Sequence, residues 1–209
     1  MKIFILLIVA YLIGSIPNGV WIGKLFFKKD LRDFGSGNMG TTNTFRVLGK
    51  KAGIVVFILD ILKGTVATMI PIYFGLAINP LWFGLAAILG HTFPIFAGFK
   101  GGKAVATSGG ILLGYYPPFF FFSLLLFIII LFLTSTVSLS SMITAVLVFV
   151  STMILPLIAP VILPQQDWFL TGVIFLIALF IIIRHKDNIA RIKNGTENRV
   201  PFGLFPKKK

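Results

Sequence analysis

The sequence contains no cysteine among its 209 residues. A disulfide framework, a thiol nucleophile and a zinc site built on thiolates are therefore excluded. Charged residues are also scarce, at 12% against about 25% in an ordinary soluble domain, whereas hydrophobic residues reach 57%. With a mean hydropathy of +0.99, the chain is neither a water-soluble globule nor a disordered segment, which needs low hydrophobicity. The composition indicates an integral membrane protein.

Acidic residues are few, with 6 Asp and Glu against 19 Lys and Arg and a formal net charge of +13. Such a surplus is typical of proteins that bind nucleic acid or anionic lipid, but in a membrane protein basic loops first indicate the cytoplasmic side. All basic residues except Lys2 and Lys63 lie in three segments, 24–51, 100–103 and 184–209. We therefore expect membrane lipid and no nucleic acid as a partner.

Seven apolar blocks are candidates for membrane helices: 3–27, 52–76, 81–99, 104–116, 119–133, 142–163 and 168–183. The first lacks a cleavage pattern, so we expect it to remain as a helix. The fourth and fifth are each shorter than the roughly 17 to 20 residues that cross a bilayer, and Pro117-Pro118 separates them. Counting both as crossings, or as a re-entrant pair, puts all three basic segments on one face.

The fold prediction is an all-α, polytopic membrane protein with seven transmembrane helices, forming a single domain over residues 1–209. The N-terminus is expected outside and the C-terminus, with Lys207–Lys209, in the cytoplasm. The nearly uncharged connections at 78–80, 116–117 and 164–166 are then outer turns.

The first basic segment contains a polar, glycine-rich run from Gly35 to Arg46. Glycines let a backbone approach a ligand closely and expose N–H groups, hydroxyls and amides donate hydrogen bonds, and an arginine supplies a fork of positive charge. This combination favours phosphate binding, although it is neither a Walker loop nor a dinucleotide fingerprint. The alternative is a flexible polar loop with a helix cap at Thr41 or Thr42.

The second segment places Lys100 and Lys103 on either side of Gly101-Gly102, just before a new apolar helix. The positive end of that helix dipole would add to the two charges, so a phosphate would be well received. For either lysine alone, the alternative is a side chain that snorkels to the membrane interface.

In the third segment, helical spacing puts Arg184, Asn188 and Arg191 on one side of a helix that directly continues the last apolar block. His185 lies beside them, and Gly195 is expected to end the helix. A lone histidine at this place is also compatible with a packed or capping residue.

Taken together, the three segments resemble the bacterial membrane glycerol-3-phosphate acyltransferases that use an acyl phosphate as donor. The run Gly35 to Arg46 carries the first part of the resemblance, and Gly101 to Lys103, after His91 and Pro94, carry the second. The third part is Gly195 to Arg199, after His185 and Asn188. The resemblance implies transfer of a fatty acyl chain to the first hydroxyl of sn-glycerol 3-phosphate. The products would be lysophosphatidic acid and phosphate, at the start of phospholipid synthesis.

The resemblance also implies a set of site residues and a location. The expected catalytic residues are Ser36, Arg46, Lys103, His185 and Asn188. The expected substrate and phosphate contacts are Gly37, Asn38, Thr41, Thr42, Asn43, Lys100, Gly101, Gly102, Arg191, Glu197, Asn198 and Arg199. We expect no metal, no cofactor and a monomer in the bacterial cytoplasmic (inner) membrane, with the active site on the cytoplasmic face.

Two mechanisms remain open for removal of the hydroxyl proton. Neither His91 nor His185 has an acidic residue four positions later, so the histidine–aspartate pair of soluble-type glycerolipid acyltransferases is missing. Either His185 is the general base, or a substrate phosphate takes the proton, which we favour. With no cysteine and no visible base beside Ser36, direct transfer is favoured over an acyl-enzyme.

Two further possibilities follow from charges inside the apolar blocks. Asp60 and Lys63 are spaced to pair on one helix, as an internal salt bridge in preference to a substrate contact. An intramembrane carboxylate and glycine-interrupted helices also suit a transporter of a phosphorylated anionic solute, the rival function. No internal repeat supports that rival, and a scaffold subunit of a lipid-synthesis complex would leave the three polar segments unexplained.

Overall fold

The structure is a computed structural model that describes residues 1–206 and contains only helices, turns and loops over that range. The predicted all-α class is therefore confirmed for the described chain. The three terminal lysines, Lys207–Lys209, which the sequence analysis places in the cytoplasm, lie outside the described residues.

Two compact units divide the chain, with the boundary after Tyr116. The helices of the first unit are α1 (Lys2–Gly14), α2 (Asn18–Phe27), α3 (Thr41–Leu48), α4 (Lys50–Tyr73), α5 (Leu81–Thr92) and α6 (Val105–Tyr115). Those of the second unit are α7 (Pro117–Thr134), α8 (Val137–Ile158), α9 (Trp168–Arg184) and α10 (Lys186–Lys193). Each of the seven apolar blocks overlaps at least one of these helices.

Membrane-crossing length is reached by α4, α7 and α8 within the described residues. Two bent pairs, α1 with α2 at 45° and α9 with α10 at 57°, bring the number of candidate spans to five. The helices α5 and α6 are apolar but shorter. The single residue between α6 and α7 is Tyr116, so the predicted break before Pro117 is confirmed.

In the first unit, α4 is the central helix and packs against α1, α3, α5 and α6. Its contact with α6 depends on glycine, because a Cβ at Gly64 would collide with the Thr107 carbonyl and a Cβ at Gly110 with the Ile61 carbonyl. Small residues let helix backbones approach closely where lipid provides no hydrophobic driving force. The same helix carries Asp60 and Lys63 into the interior of this unit.

In the second unit, α8 packs against both α7 and α9. Of the 18 residues of α7, only Phe119, Phe120 and Ser123 are buried. Its outward side chains are large and apolar, as expected of a helix surrounded by acyl chains. Asp167 begins α9 by accepting a hydrogen bond from the Leu170 N–H.

Candidate functional site

The glycine-rich run of the first segment is folded around Asn43 from α3, whose side chain is 1% exposed. Its Nδ2 donates to the carbonyl oxygens of Leu31 and Phe34, at 3.1 and 2.9 Å, and its Oδ1 accepts from the Ser36 N–H at 3.0 Å. The Asn43 amide thus supplies hydrogen-bond partners for three backbone groups of a loop that belongs to no helix or strand. Asn43 determines where Ser36 lies.

The turn itself requires glycine at two positions, since Gly35 and Gly37 have φ values of 65° and 68°. Asn38 closes the following turn by accepting from the Gly40 N–H at 2.9 Å. The helix α3 then begins at Thr41, after Gly40, without a side-chain capping bond. The alternative of a threonine cap is therefore wrong, and Thr41 Oγ1 is buried without a hydrogen-bond partner among residues 1–206.

The first and second segments meet at a cavity of about 470 Å³. It is lined by Arg32, Ser36, Gly37, Asn38, Met39, Lys100 and Gly101. Five of these residues are sequence-predicted site residues, and the volume is in the range of small-molecule sites. Arg46 and Lys103 are not among the lining residues, nor is the exposed Thr42.

Arg32 lines the cavity, although the sequence predicted for it only a place among the basic residues that indicate the cytoplasmic side. Its Nε and a terminal nitrogen donate to the two oxygens of Asp30, at 2.9 and 2.6 Å, and Lys24 Nζ lies 3.1 Å from the same carboxylate. Hydrogen bonds from Arg32 hold the pKa of Asp30 well below its ordinary value, against the opposing effect of burial. The carboxylate in turn orients the guanidinium. The signal in the sequence that could have identified Arg32 as a site residue is its position three residues before Gly35.

The loop of the second segment is seated on His91, at the end of α5. The Gly102 N–H donates to the His91 carbonyl at 3.1 Å, and a Cβ at Gly102 would collide with His91 Nε2. A Cβ at Gly101 would meet the carbonyls of His91 and Thr92. Both glycines are therefore required by close approach. The helix α6 begins at Val105, so the predicted helix start after Lys103 is confirmed.

The third segment differs from its prediction, because α9 and α10 are separate helices joined at His185 with a bend of 57°. The expectation of one helix continuing straight past the last apolar block is wrong. His185 is 4% exposed, and its Nδ1 lies 2.7 Å from the Ile181 carbonyl, an acceptor. Nδ1 therefore carries a proton, and in the neutral ring Nε2 has the lone pair. Gly195, with φ of 68°, follows α10 as predicted.

Glu197 accepts hydrogen bonds from three polar side chains, two of which lie on α10. Its Oε1 accepts from Asn188 Nδ2 at 2.8 Å and from Ser138 Oγ at 3.0 Å, while its Oε2 accepts from Arg191 Nε at 2.7 Å. Burial would raise the pKa of Glu197, but the hydrogen bonds from Asn188, Arg191 and Ser138 outweigh it, so the pKa is lowered. The carboxylate orders Asn188 and Arg191 at α10.

The remaining predicted residues of the third segment lie on the tail, residues 194–206, which follows α10. Asn198 and Arg199 are exposed, and Arg199 donates to the Phe205 carbonyl at 3.5 Å. The tail is attached by backbone bonds from Val200 to the Ser135 carbonyl and from Leu204 to the Phe132 carbonyl, at 2.8 and 2.9 Å. It therefore runs along the connection between α7 and α8.

Comparison with solved structures shows extensive similarity. A crystal structure of PlsY (YgiH), an integral membrane glycerol 3-phosphate acyltransferase, in its glycerol 3-phosphate form matches with a TM-score of 0.84 and 38% identity over 96% of both chains. A lysophosphatidic acid form of PlsY matches with a TM-score of 0.81 and 37% identity over 95% of both chains.

Sequence comparison gives the same result. A glycerol-3-phosphate acyltransferase of Enterococcus faecalis is 67% identical over all of this chain and 96% of its own length. One of Streptococcus sanguinis is 56% identical over 98% of this chain and 94% of its own length. The model of the glycerol-3-phosphate acyltransferase family matches residues 4–195. The chain therefore belongs to the glycerol-3-phosphate acyltransferase family of integral membrane proteins.

Proposed function

We propose that this protein transfers a fatty acyl group from an acyl phosphate to the first hydroxyl of glycerol 3-phosphate. The relatives are named for the acceptor, and PlsY was crystallised in glycerol 3-phosphate and lysophosphatidic acid forms. The observation that carries the proposal is the cavity in which the Ser36 loop meets Lys100 and Gly101. Two glycine-rich loops and two cations around one cavity suit a phosphate ester.

The chemistry requires little beyond orientation and charge stabilisation. The hydroxyl oxygen of glycerol 3-phosphate attacks the carbonyl carbon of the acyl phosphate, the bond from that carbon to the phosphate oxygen breaks, and inorganic phosphate leaves. Holding both substrates in line and neutralising the developing oxyanion supply a large part of the rate enhancement. Because the chain has no cysteine, we propose direct transfer.

For the proton, we propose that a phosphate group of a substrate accepts it. The second pKa of a phosphate monoester is about 6, which suits this task near neutral pH. His185 is the competing base, and the proton on its Nδ1 is consistent with a lone pair on Nε2.

We assign the catalytic roles to Ser36, Arg46, Lys103, His185 and Asn188. The proposed substrate and phosphate contacts are Gly37, Asn38, Thr41, Thr42, Lys100, Gly101, Gly102, Arg191, Asn198 and Arg199. Glu197 and Asn43 are assigned positioning roles, since their polar atoms bind Asn188 and Arg191 or the backbone of the Ser36 loop. We add Arg32 to the proposed phosphate contacts, because it lines the cavity.

The proposal includes a single functional domain, a monomer and seven crossings, with the short helices α5 and α6 counted among them. The N-terminus would lie outside and the basic loops at the cytoplasmic face of the bacterial inner membrane. The support is the distribution of charge, since the connections assigned to the outer side carry almost none.

A donor comparison tests the proposed function. Purified protein in detergent receives glycerol 3-phosphate with acyl phosphate, acyl-CoA or acyl carrier protein, and lysophosphatidic acid is measured. Of the three donors, we expect only acyl phosphate to give lysophosphatidic acid, together with an equal amount of inorganic phosphate. Product from a thioester but not from acyl phosphate would overturn the donor assignment. No turnover with any donor would favour a transporter, because transport needs a closed membrane compartment.

A further inference from the structure

A buried ion pair lies in the middle of the first unit, on α4. Lys63 Nζ is 2.9 Å from Asp60 Oδ1, and the residues are 6% and 3% exposed. The predicted internal salt bridge is therefore confirmed. Each side chain also has a second partner, so the pair belongs to a larger polar cluster. Buried charges are stable only when their remaining hydrogen-bonding capacity is satisfied.

One side of the cluster holds the break between α1 and α2. Pro17 has no N–H and interrupts the helix, and there Lys63 Nζ donates to the Ile16 carbonyl at 3.0 Å. Asn18, the first residue of α2, donates from Nδ2 to Asp60 Oδ1 at 3.0 Å. The ion pair thus binds the residues on both sides of Pro17, at the 45° bend between α1 and α2.

The start of α2 in turn supports one wall of the cavity. Gly19 follows Asn18 directly and lies so close to the Met39 carbonyl that a Cβ at Gly19 would collide with it. Met39 is a lining residue of the cavity, next to the loop of Ser36. The position of α2 therefore sets the position of this wall.

The other side of the cluster reaches a second wall of the cavity, formed by Lys100 and Gly101, through His91. The ring nitrogen Nδ1 lies 3.9 Å from Asp60 Oδ1 and 3.1 Å from Thr107 Oγ1. Gly102 rests on the same ring and binds the His91 carbonyl. Its neighbours Gly101 and Lys100 line the cavity. Asp60 is thus linked to both walls.

We propose that Asp60 and Lys63 are positioning residues that hold the two walls of the phosphate cavity at the separation and orientation that the substrate phosphate requires. The pair acts through Asn18 on the Met39 wall and through His91 on the Lys100 wall. It does not touch substrate. This inference rests on the proposed function, in that the cavity is taken to bind the phosphate of glycerol 3-phosphate.

The variants separate positioning from folding. In Asp60→Asn/Lys63→Met both charges are removed together, so no unpaired charge remains in the interior. Thr107→Val is milder and removes only the hydroxyl beside His91. Thr65→Val is the matched control, because Thr65 lies on the same helix and donates to the Gly110 carbonyl of α6 at 2.9 Å. It tests the packing of α4 on α6 without touching the cluster.

The measurements are KM for glycerol 3-phosphate, kcat per folded enzyme, and inhibition by inorganic phosphate. We expect the double variant to raise KM and the inhibition constant by about tenfold or more, since small misplacements of binding groups have large effects. Thr107→Val should raise both by about threefold, and Thr65→Val should leave both within about twofold of wild type. A structural role alone would lower the folded fraction and leave KM unchanged.

Unchanged KM and phosphate inhibition in the folded double variant would overturn the inference. If the double variant does not fold, Thr107→Val decides, and wild-type values there would overturn it. An absence of phosphate inhibition in the wild-type enzyme would overturn the phosphate cavity itself. Normal inhibition in wild type and variants alike would overturn only the positioning role.

Discussion

At the scale of single residues, the cations near the two glycine-rich loops differ in how their charge is used. Arg32 and Lys24 share the single carboxylate of Asp30, so this group of three side chains keeps a net positive charge. Arg46 and Lys100 are exposed, and neither forms an ion pair with any residue of 1–206. Their charge is available to an anionic ligand.

Replacing Ser36, Arg46 or Lys103, to which we assign catalytic roles, should therefore impair catalysis more than folding. We expect Arg46→Ala, Lys103→Ala and Ser36→Ala each to reduce kcat/KM more than about tenfold, because a charge-assisted hydrogen bond contributes roughly 1.5 to 3 kcal/mol. Steady-state assays on folded protein measure this. Lys51→Ala, which removes an exposed cation from the first turn of α4, is the control for net charge. Near wild-type rates in all three variants would refute the phosphate-site assignment.

His185 distinguishes the two routes for the proton. If a substrate phosphate is the base, His185→Gln should retain some activity, with a lower plateau and an unchanged acidic limb in the pH–rate profile. An amide can still hydrogen-bond but cannot abstract a proton. The profile is measured over the neutral range, after checking that substrate binding does not titrate there.

Asn188 provides the control for this experiment, because its amide does not titrate. Asn188→Ala should lower the rate without moving the profile, through lost positioning and lost contact with Glu197. A profile that becomes independent of pH in His185→Gln alone would make His185 the general base.

At the scale of elements, the segment after α10 is attached through the Glu197 carboxylate to α10 and α8. The pKa of Glu197 is lowered in the folded protein, so its ionised form stabilises the fold. This stabilisation is complete above the ordinary glutamate pKa of about 4.3 and is lost as pH falls through the lower folded-state value.

Glu197→Gln should therefore lower the thermal unfolding midpoint at neutral pH, and the difference from wild type should shrink as the pH falls below about 4. Thermal unfolding in detergent from pH 7 to pH 3 measures it. Asp187→Asn, at an exposed acid in the first turn of α10, should show a smaller effect. An equal loss at every pH would contradict a role for the ionised carboxylate.

At the scale of the whole molecule, topology can be measured directly because the chain has no cysteine of its own. With seven crossings, Gln165→Cys should react with a membrane-impermeant maleimide from outside intact cells. Lys208→Cys should react only after the membrane is opened. Labelling of both positions from the same side would overturn the seven-span proposal.

Much of this molecule could be predicted from residue order, because each prediction depended on neighbours in sequence. The helical segments follow from apolar runs, and the break before Pro117 follows from a missing backbone donor. The grouping of Ser36 with Lys100 followed from glycines and cations in basic loops. The bend at His185 was missed because the apolar and basic residues around it are all compatible with a continuous helix.

The sequence by itself determined the membrane class, the all-helical fold of the described chain and the two loops that meet at the cavity. Composition and local spacing suffice for these, since burial in lipid and helix formation depend on residue type and short-range order. Only the tertiary structure decided that Arg32 lines the cavity, that Glu197 binds Ser138, and that Gly102 rests on His91. Those contacts join residues of different helices and loops, and their partners are selected by helix packing, which no local pattern encodes.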